Sequence, residues 1–137
     1  MSGLQQFFTG LHAKIVKTTG ALGGGTKDGS VLVLRHVGAK SGTVRETPLM
    51  FIHSDGAYSV AASANGAPHN PGWYHNLMAN PDTVVTVHRK AIAVRARALD
   101  GDERHEAWER FKTLGPRWES YESKTERTIP IVALEPR

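Results

Sequence analysis

Gly38-Ala39-Lys40-Ser41-Gly42-Thr43-Val44-Arg45 places two cations five positions apart around a turn of small and hydroxyl-bearing residues. Small residues let backbone N–H groups approach a ligand closely, Ser41 and Thr43 add hydroxyl donors, and Lys40 and Arg45 carry the charge a phosphate needs. The stretch reads as an anion cradle on a hairpin; the alternative is a solvated turn with incidental charges, since Gly and Ser are common turn residues. Each hydrogen bond to a charged group contributes roughly 1.5–3 kcal/mol, so Lys40 and Arg45 together would anchor a phosphate tail and leave the reactive end of a ligand to be placed elsewhere.

Asn70-Pro71-Gly72-Trp73-Tyr74-His75-Asn76 forms a second cluster, preceded by Ala61-Ala62-Ser63. Alanines ending a strand leave its backbone open, a surface on which a flat ring can rest while backbone amides bond its edge. Trp73 and Asn76, at i and i+3, can address one pocket; a core tryptophan beside a solvent-facing asparagine is the competing reading. Tyr74, Trp118 and Tyr121 would line an aromatic acceptor pocket, with Tyr121 able to donate a proton, against the alternative of ordinary helix packing with the phenol exposed.

Other chemistries lack their residues. None of the seven histidines has metal-type spacing: His69 and His75 stand six apart, His-x-His is absent, and no carboxylate lies near either, so no metal is expected. Ser41, Ser63 and Ser123 sit in no Gly-x-Ser-x-Gly elbow. With no cysteine, thiolate zinc sites, disulfides, iron–sulfur clusters and cysteine nucleophiles are excluded. Gly20 to Lys27 mimics a phosphate loop, but Thr26 stands where the lysine is required and no strand precedes it, so it reads as a flexible linker.

The elements that must position these clusters follow from periodicity and turn chemistry. Leu4, Phe7, Phe8, Leu11, Ile15 and Val16 recur at helical spacing and predict an amphipathic helix over 4–18, docked on the core or, as a secondary reading, on a membrane surface. Strands are expected over 31–37, 44–53, 57–63, 82–88, 91–99 and 129–134, about six in all. Asp55-Gly56 is the strongest hairpin signal. Asn70 as N-cap with Pro71 at the first helical position opens a short helix through Asn80. Asp100 and Glu103 form a capping box for a helix bearing Trp108 and Phe111, which stops at Gly115-Pro116 before a short helix over 118–124. Consecutive hairpins imply an antiparallel sheet curled into a barrel to hide its edges, with helices packed outside.

At 137 residues the chain suits one globular domain. No stretch approaches the roughly 18 apolar residues that span a bilayer, and no signal-peptide pattern is visible, so a cytoplasmic protein is expected. Seventeen Lys and Arg against thirteen Asp and Glu give a net charge of +4. The excess sits between Val31 and Arg97, where seven bases face only Glu46, Asp55 and Asp82. Such a distribution favours an anionic ligand at mid-chain over a nucleic-acid coat, and no interleaved aromatic stacking motif supports nucleic acid as a partner.

Taken together, these stretches resemble the deazaflavin (F420)-dependent nitroreductase family, actinobacterial proteins that use coenzyme F420 on a split β-barrel. The resemblance covers roughly 30–137. Its carriers are Gly38 to Arg45 with Thr47-Pro48-Leu49, then Ala61-Ala62-Ser63 and Gly66. Further along they are Asn70-Pro71, Trp73-Tyr74, Asn76-Leu77 and Ala79-Asn80-Pro81, with Thr128-Ile129-Pro130-Ile131-Val132 at the end. It implies an N-terminal helix and linker over 1–30 and a deazaflavin-binding domain over 31–137, mainly β with peripheral helices in an antiparallel, FMN-binding split-barrel-like fold. Lys40 and Arg45, with Ser41 in the same turn, would contact the phosphate and polyglutamate tail of F420. Pro48, Leu49 and Met50, with Ala61, Ala62 and Ser63, would bed the deazaflavin ring, which Trp73 and Asn76 would bound. Tyr74, Trp118 and Tyr121 would face the acceptor.

The implied reaction is F420H2-dependent reduction by hydride transfer from the deazaflavin to a planar, electron-poor acceptor: a quinone, an enone or lactone, or a nitroaromatic. Tyr121 would be the proton donor or acceptor-orienting group. FMN as cofactor and a non-catalytic carrier of deazaflavin or an apolar ligand are the alternatives, in a monomer or homodimer. Ala64 departs from the family, which often has a basic residue there, and predicts a weaker or differently held tail. Gly115 stands where some members place an aromatic residue, which counts against nitroimidazole activation. His75 replaces a commonly apolar residue.

Overall fold

The structure is a computed structural model, and it describes residues 27–137. The helix expected over 4–18 and the linker to Thr26 lie outside the described residues. Among the described residues the elements are seven strands and three α-helices: β1 (Val31–Val37), β2 (Val44–Met50), β3 (Ile52–Ser54), β4 (Ala57–Ala61), α1 (Gly72–Ala79), β5 (Asp82–Val87), β6 (Lys90–Ala98), α2 (Gly101–Thr113), α3 (Pro116–Lys124) and β7 (Ile131–Pro136). All strand pairs are antiparallel, in the order β2-β1-β5-β6-β7-β4-β3. The fold is an antiparallel split β-barrel with peripheral helices.

Closure of the barrel is visible in the strand order. β2 and β3 are the two edges of the sheet, yet only Phe51 separates them in the chain. One residue spans under 4 Å, so the edges must be brought together and the sheet must curl. The single strand expected over 44–53 is therefore two: β2 pairs with β1 and β3 with β4, and the count rises to seven. Phe51 itself is fully buried at the switch, its N–H bonded to the Ser30 carbonyl at 2.9 Å.

Apolar alternation and the curl produce two cores. One gathers Leu32, Leu34, Phe51, Val60, Trp73, Leu77, Val85, Val94 and Leu134 inside the barrel, beneath α1. The other packs Ile52, Ala61, Ile129 and Ile131 against Trp108 and Phe111 of α2 and Trp118 of α3. Neighbouring residues on β2 divide between them, Leu49 lying against the first and Met50 against the second.

Turn chemistry largely behaves as expected. Asp55 (φ 53°) and Gly56 (φ 78°) are both left-handed and form the tight hairpin. The β5–β6 hairpin turns on His88 (φ 49°) and Arg89 (φ 69°), one residue earlier than the sequence suggests. Two caps differ. Pro71, not Asn70, is the N-cap of α1, because Asn70 Oδ1 is taken by the Arg127 guanidinium at 2.6 Å. Asp100 caps α2 without a side-chain bond, and Glu103 pairs with Arg97 at 2.8 Å, so no capping box forms. The last strand starts at Ile131 rather than Ile129. No helix among the described residues is long and apolar enough to cross a membrane.

Candidate functional site

The β1–β2 turn and the start of α1 enclose an open groove of about 550 Å³, lined by Gly38, Ala39, Lys40, Ser41, Arg45, Gly72, His75 and Asn76. The turn is held internally by Gly38 N–H to the Thr43 carbonyl (2.8 Å), Gly42 N–H to the Gly38 carbonyl (2.9 Å) and Thr43 N–H to Ser41 Oγ (3.1 Å). A Cβ at Gly38 would run into Ser41 Oγ, so a side chain there would displace the hydroxyl that caps Thr43 N–H. Lys40 and Arg45 are exposed, and among the described residues neither enters an ion pair. Arg95, Arg97, Arg110 and Lys112, by contrast, are each matched by a carboxylate. Two cations without acidic partners beside a small-residue turn suit an anion.

Asn76 joins this groove to the barrel. Its Oδ1 accepts the Ala39 N–H at 2.9 Å and its Nδ2 faces His36 Nδ1 at 2.9 Å, while His36 Nε2 lies 2.8 Å from Thr47 Oγ1. His36 is buried, and burial, reinforced by the neighbouring Arg45 charge, holds it below the usual imidazole range. Sequence reading passed over His36. A histidine inside the apolar run Val31–Val37 must nevertheless find polar partners when buried, and that was the available signal.

Trp73 does not share the groove with Asn76; at 7% exposure it belongs to the inner core. Tyr74 is half-buried on the same side, edge-on to His75 at 5.6 Å. Ala61, Ala62 and Ser63 are all buried. Their backbone is less open than expected: Ala62 N–H donates to the Pro130 carbonyl at 2.8 Å, and the Ala62 and Ser63 carbonyls accept from Arg127 Nη2 at 3.1 and 3.0 Å. Arg127 also donates to the Ala67 carbonyl at 3.0 Å, so one guanidinium ties down residues 62–70. Nothing local to Arg127 in the sequence announces this.

The far end of β2 meets the aromatic side chains. Met50 and Tyr121 both pack against the core cluster that contains Trp118, and Met50 Sδ accepts from Arg117, whose guanidinium lies over the Trp118 ring at 5.2 Å. Tyr121 meets Trp118 edge-on at 5.7 Å. α3 reaches the loop after β4 because Gly66, at φ 82°, lacks a side chain: a Cβ there would stand 2.9 Å from Lys124 Cβ and 3.1 Å from the Tyr121 carbonyl. Pro48 is exposed on β2. Among the described residues no group of three or more His, Asp or Glu side chains is arranged to hold a metal ion.

A family profile described as F420H(2)-dependent quinone reductase matches residues 9–136. The chain belongs to this family. The F420H(2)-dependent quinone reductase Rv1261c of Mycobacterium tuberculosis (strain H37Rv) is 38% identical over 109 residues, 77% of this chain and 73% of the relative. The solved structure of the F420-H2-dependent reductase FDR-A matches with a TM-score of 0.70 at 37% identity, covering 77% of this chain and 93% of that one. A second structure, described as a domain-swapped dimer, matches with a TM-score of 0.71 at 30% identity, covering 96% and 98%. The protein is an F420-dependent oxidoreductase, and coenzyme F420 is its cofactor. The groove of this F420H2-dependent reductase suits the anionic end of that cofactor, since it is lined by the small residues Gly38, Ala39 and Gly72 and, among the described residues, Lys40 and Arg45 pair with no carboxylate.

Proposed function

We propose that this reductase holds the phosphate and tail of F420 in the groove at Lys40, Ser41 and Arg45 and lays the ring along β2 toward Met50, Trp118 and Tyr121. One observation carries the reading: β2 has unmatched cations at its first turn and an aromatic cluster at its other end. The rise from Arg45 to Met50 is roughly 17 Å at extended-strand spacing, a span suited to a ring joined to a phosphate by an extended linker.

Reduced F420, when bound, supplies a hydride to a planar, electron-poor acceptor: a quinone, as the family name indicates, or an enone, lactone or nitroaromatic of similar shape. The chain supplies position and charge. Met50 offers apolar contact, Trp118 bounds the acceptor space, and Tyr121 donates the proton that accompanies the hydride or orients the acceptor. The domain over 31–137 thus holds the cofactor, and the domain-swapped relative supports pairing of two copies.

Titration with oxidised F420 and FMN side by side, followed by an acceptor panel with F420H2, tests the reading. Saturable binding of F420, weakened in Lys40→Ala and Arg45→Ala, with oxidation of F420H2 by quinones, is expected. Preference for FMN would replace the cofactor assignment, and binding without turnover on any acceptor would make the protein a carrier.

A further inference from the structure

We propose that His36 is a positioning residue for the anion cradle: by accepting from Asn76 at Nδ1, it fixes the orientation of the Asn76 amide that holds the Lys40-Ser41 turn against α1. The proposal rests on the reading that the groove takes the anionic end of F420.

Among the described residues, the Ala39 N–H to Asn76 Oδ1 bond is the one hydrogen bond from the tip of the turn, 38–43, to another element outside the β1–β2 ladder. It forms only if the oxygen of the Asn76 amide faces Ala39. Rotating the amide by half a turn would set its NH2 against the Ala39 N–H, donor against donor. His36 selects between the two orientations. With Nδ1 as an acceptor 2.9 Å from Asn76 Nδ2, the amide nitrogen belongs on the His36 side and the oxygen on the Ala39 side.

Thr47 on β2 accommodates the tautomer this requires, its hydroxyl being able to accept as well as donate. Nδ1 can accept only if the ring is neutral with its proton on Nε2, which then donates to Thr47 Oγ1 at 2.8 Å. The groups around His36 favour the neutral form: it is buried, Arg45 is the charged neighbour on β2, Thr47 and Asn76 are uncharged, and from β5 the Thr83 hydroxyl is spent on the Arg35 carbonyl. Thr47, His36, Asn76 and Ala39 thus form one directed chain through β2, β1, α1 and the turn. Each member has a single orientation that satisfies its neighbours, so the chain pre-orders the cradle before any ligand arrives. A preordered turn loses less conformational freedom on binding.

Two half-replacements separate positioning from packing. In His36→Asn the side-chain oxygen falls near the position of Nδ1 and can still accept from Asn76. In His36→Gln the polar atoms fall near Nε2 and serve Thr47 alone. Binding of F420 and of the same deazaflavin lacking phosphate and tail would be measured for both variants, beside Lys40→Ala and Arg45→Ala. Expected is a loss of about tenfold in F420 affinity for His36→Gln, a change within about twofold for His36→Asn, and no change in either for the tail-less chromophore. Wild-type F420 affinity in His36→Gln, equal losses in the two His36 variants, or an equal loss for the tail-less chromophore would overturn the proposal. If Lys40→Ala and Arg45→Ala leave F420 affinity unchanged, the groove is not the anion site, and the reading beneath the proposal fails with it.

Discussion

Asn76 Nδ2 stands 2.9 Å from His36 Nδ1, so a residue on the helix after β4 takes its orientation from one on the first strand, 40 positions earlier. Both ends of the Asn76 amide are engaged, the other by Ala39. Asn76 therefore contributes to the groove through the shape it imposes on the turn as well as through its own surface.

Replacing the amide by a carboxylate would invert the electrostatics of this contact. In Asn76→Asp the Ala39 N–H keeps an acceptor, but His36 Nδ1 then faces an anion, which favours a proton on that nitrogen. Burial and Arg45 now hold His36 low. The expected outcome is a rise of the His36 titration, read from its ring-proton NMR shift against pH. An unmoved titration would show that the Asn76 side chain does not face Nδ1.

Tyr121 is half-buried on α3 against Trp118, away from the groove that holds Lys40. Tyr121→Phe removes only the phenolic hydroxyl. Turnover with quinones is expected to fall about tenfold or more, as for loss of a proton donor, while F420 affinity stays nearly intact. An unchanged kcat would remove Tyr121 from the reaction and leave protonation to solvent.

Glu46 is held at a pKa of about 7 by burial of its carboxyl, only partly offset by Arg35, and among the described residues neither oxygen has a hydrogen-bond partner. A carboxyl raised on folding favours the protonated native state. Its stability contribution is therefore fully present below the ordinary value of 4.5 and is lost as pH rises through about 7. Glu46→Gln should be more stable than wild type by about 1–2 kcal/mol at pH 8, a value reduced by solvent screening of this half-buried residue, and nearly equal to it at pH 4. Urea denaturation at the two pH values decides; a gain of the same size at both would assign it to packing.

Arg127 serves four acceptors with one guanidinium: the carbonyls of Ala62, Ser63 and Ala67 and the Oδ1 of Asn70. Arg127→Met retains the apolar stem but strips these partners, at an expected cost of about 2–3 kcal/mol. Arg127→Lys should recover little, because one ammonium cannot span the fork. Thermal denaturation of both variants tests this, and full recovery by lysine would show that charge alone holds the loop.

Local chemistry determined much of this protein. The left-handed Asp55-Gly56 pair, the Gly38 to Arg45 turn with both its cations, and the Gly115-Pro116 break between two helices each act over a few residues, and the apolar run Val31–Val37 and the alternation in Asp82–Ala98 mark strands. The tertiary structure decided the rest. Whether the chain from Val44 to His53 is one strand or two depends on the two edges of the sheet meeting at Phe51. Asn70 is lost as a cap because Arg127 reaches it across 57 positions, and Trp73 turns into the core while Asn76, one helical turn on, faces the groove. Turn and strand preferences are set by neighbours along the chain, whereas a buried polar group takes whichever partner packing brings within about 3 Å, and that is known only once the sheet has curled.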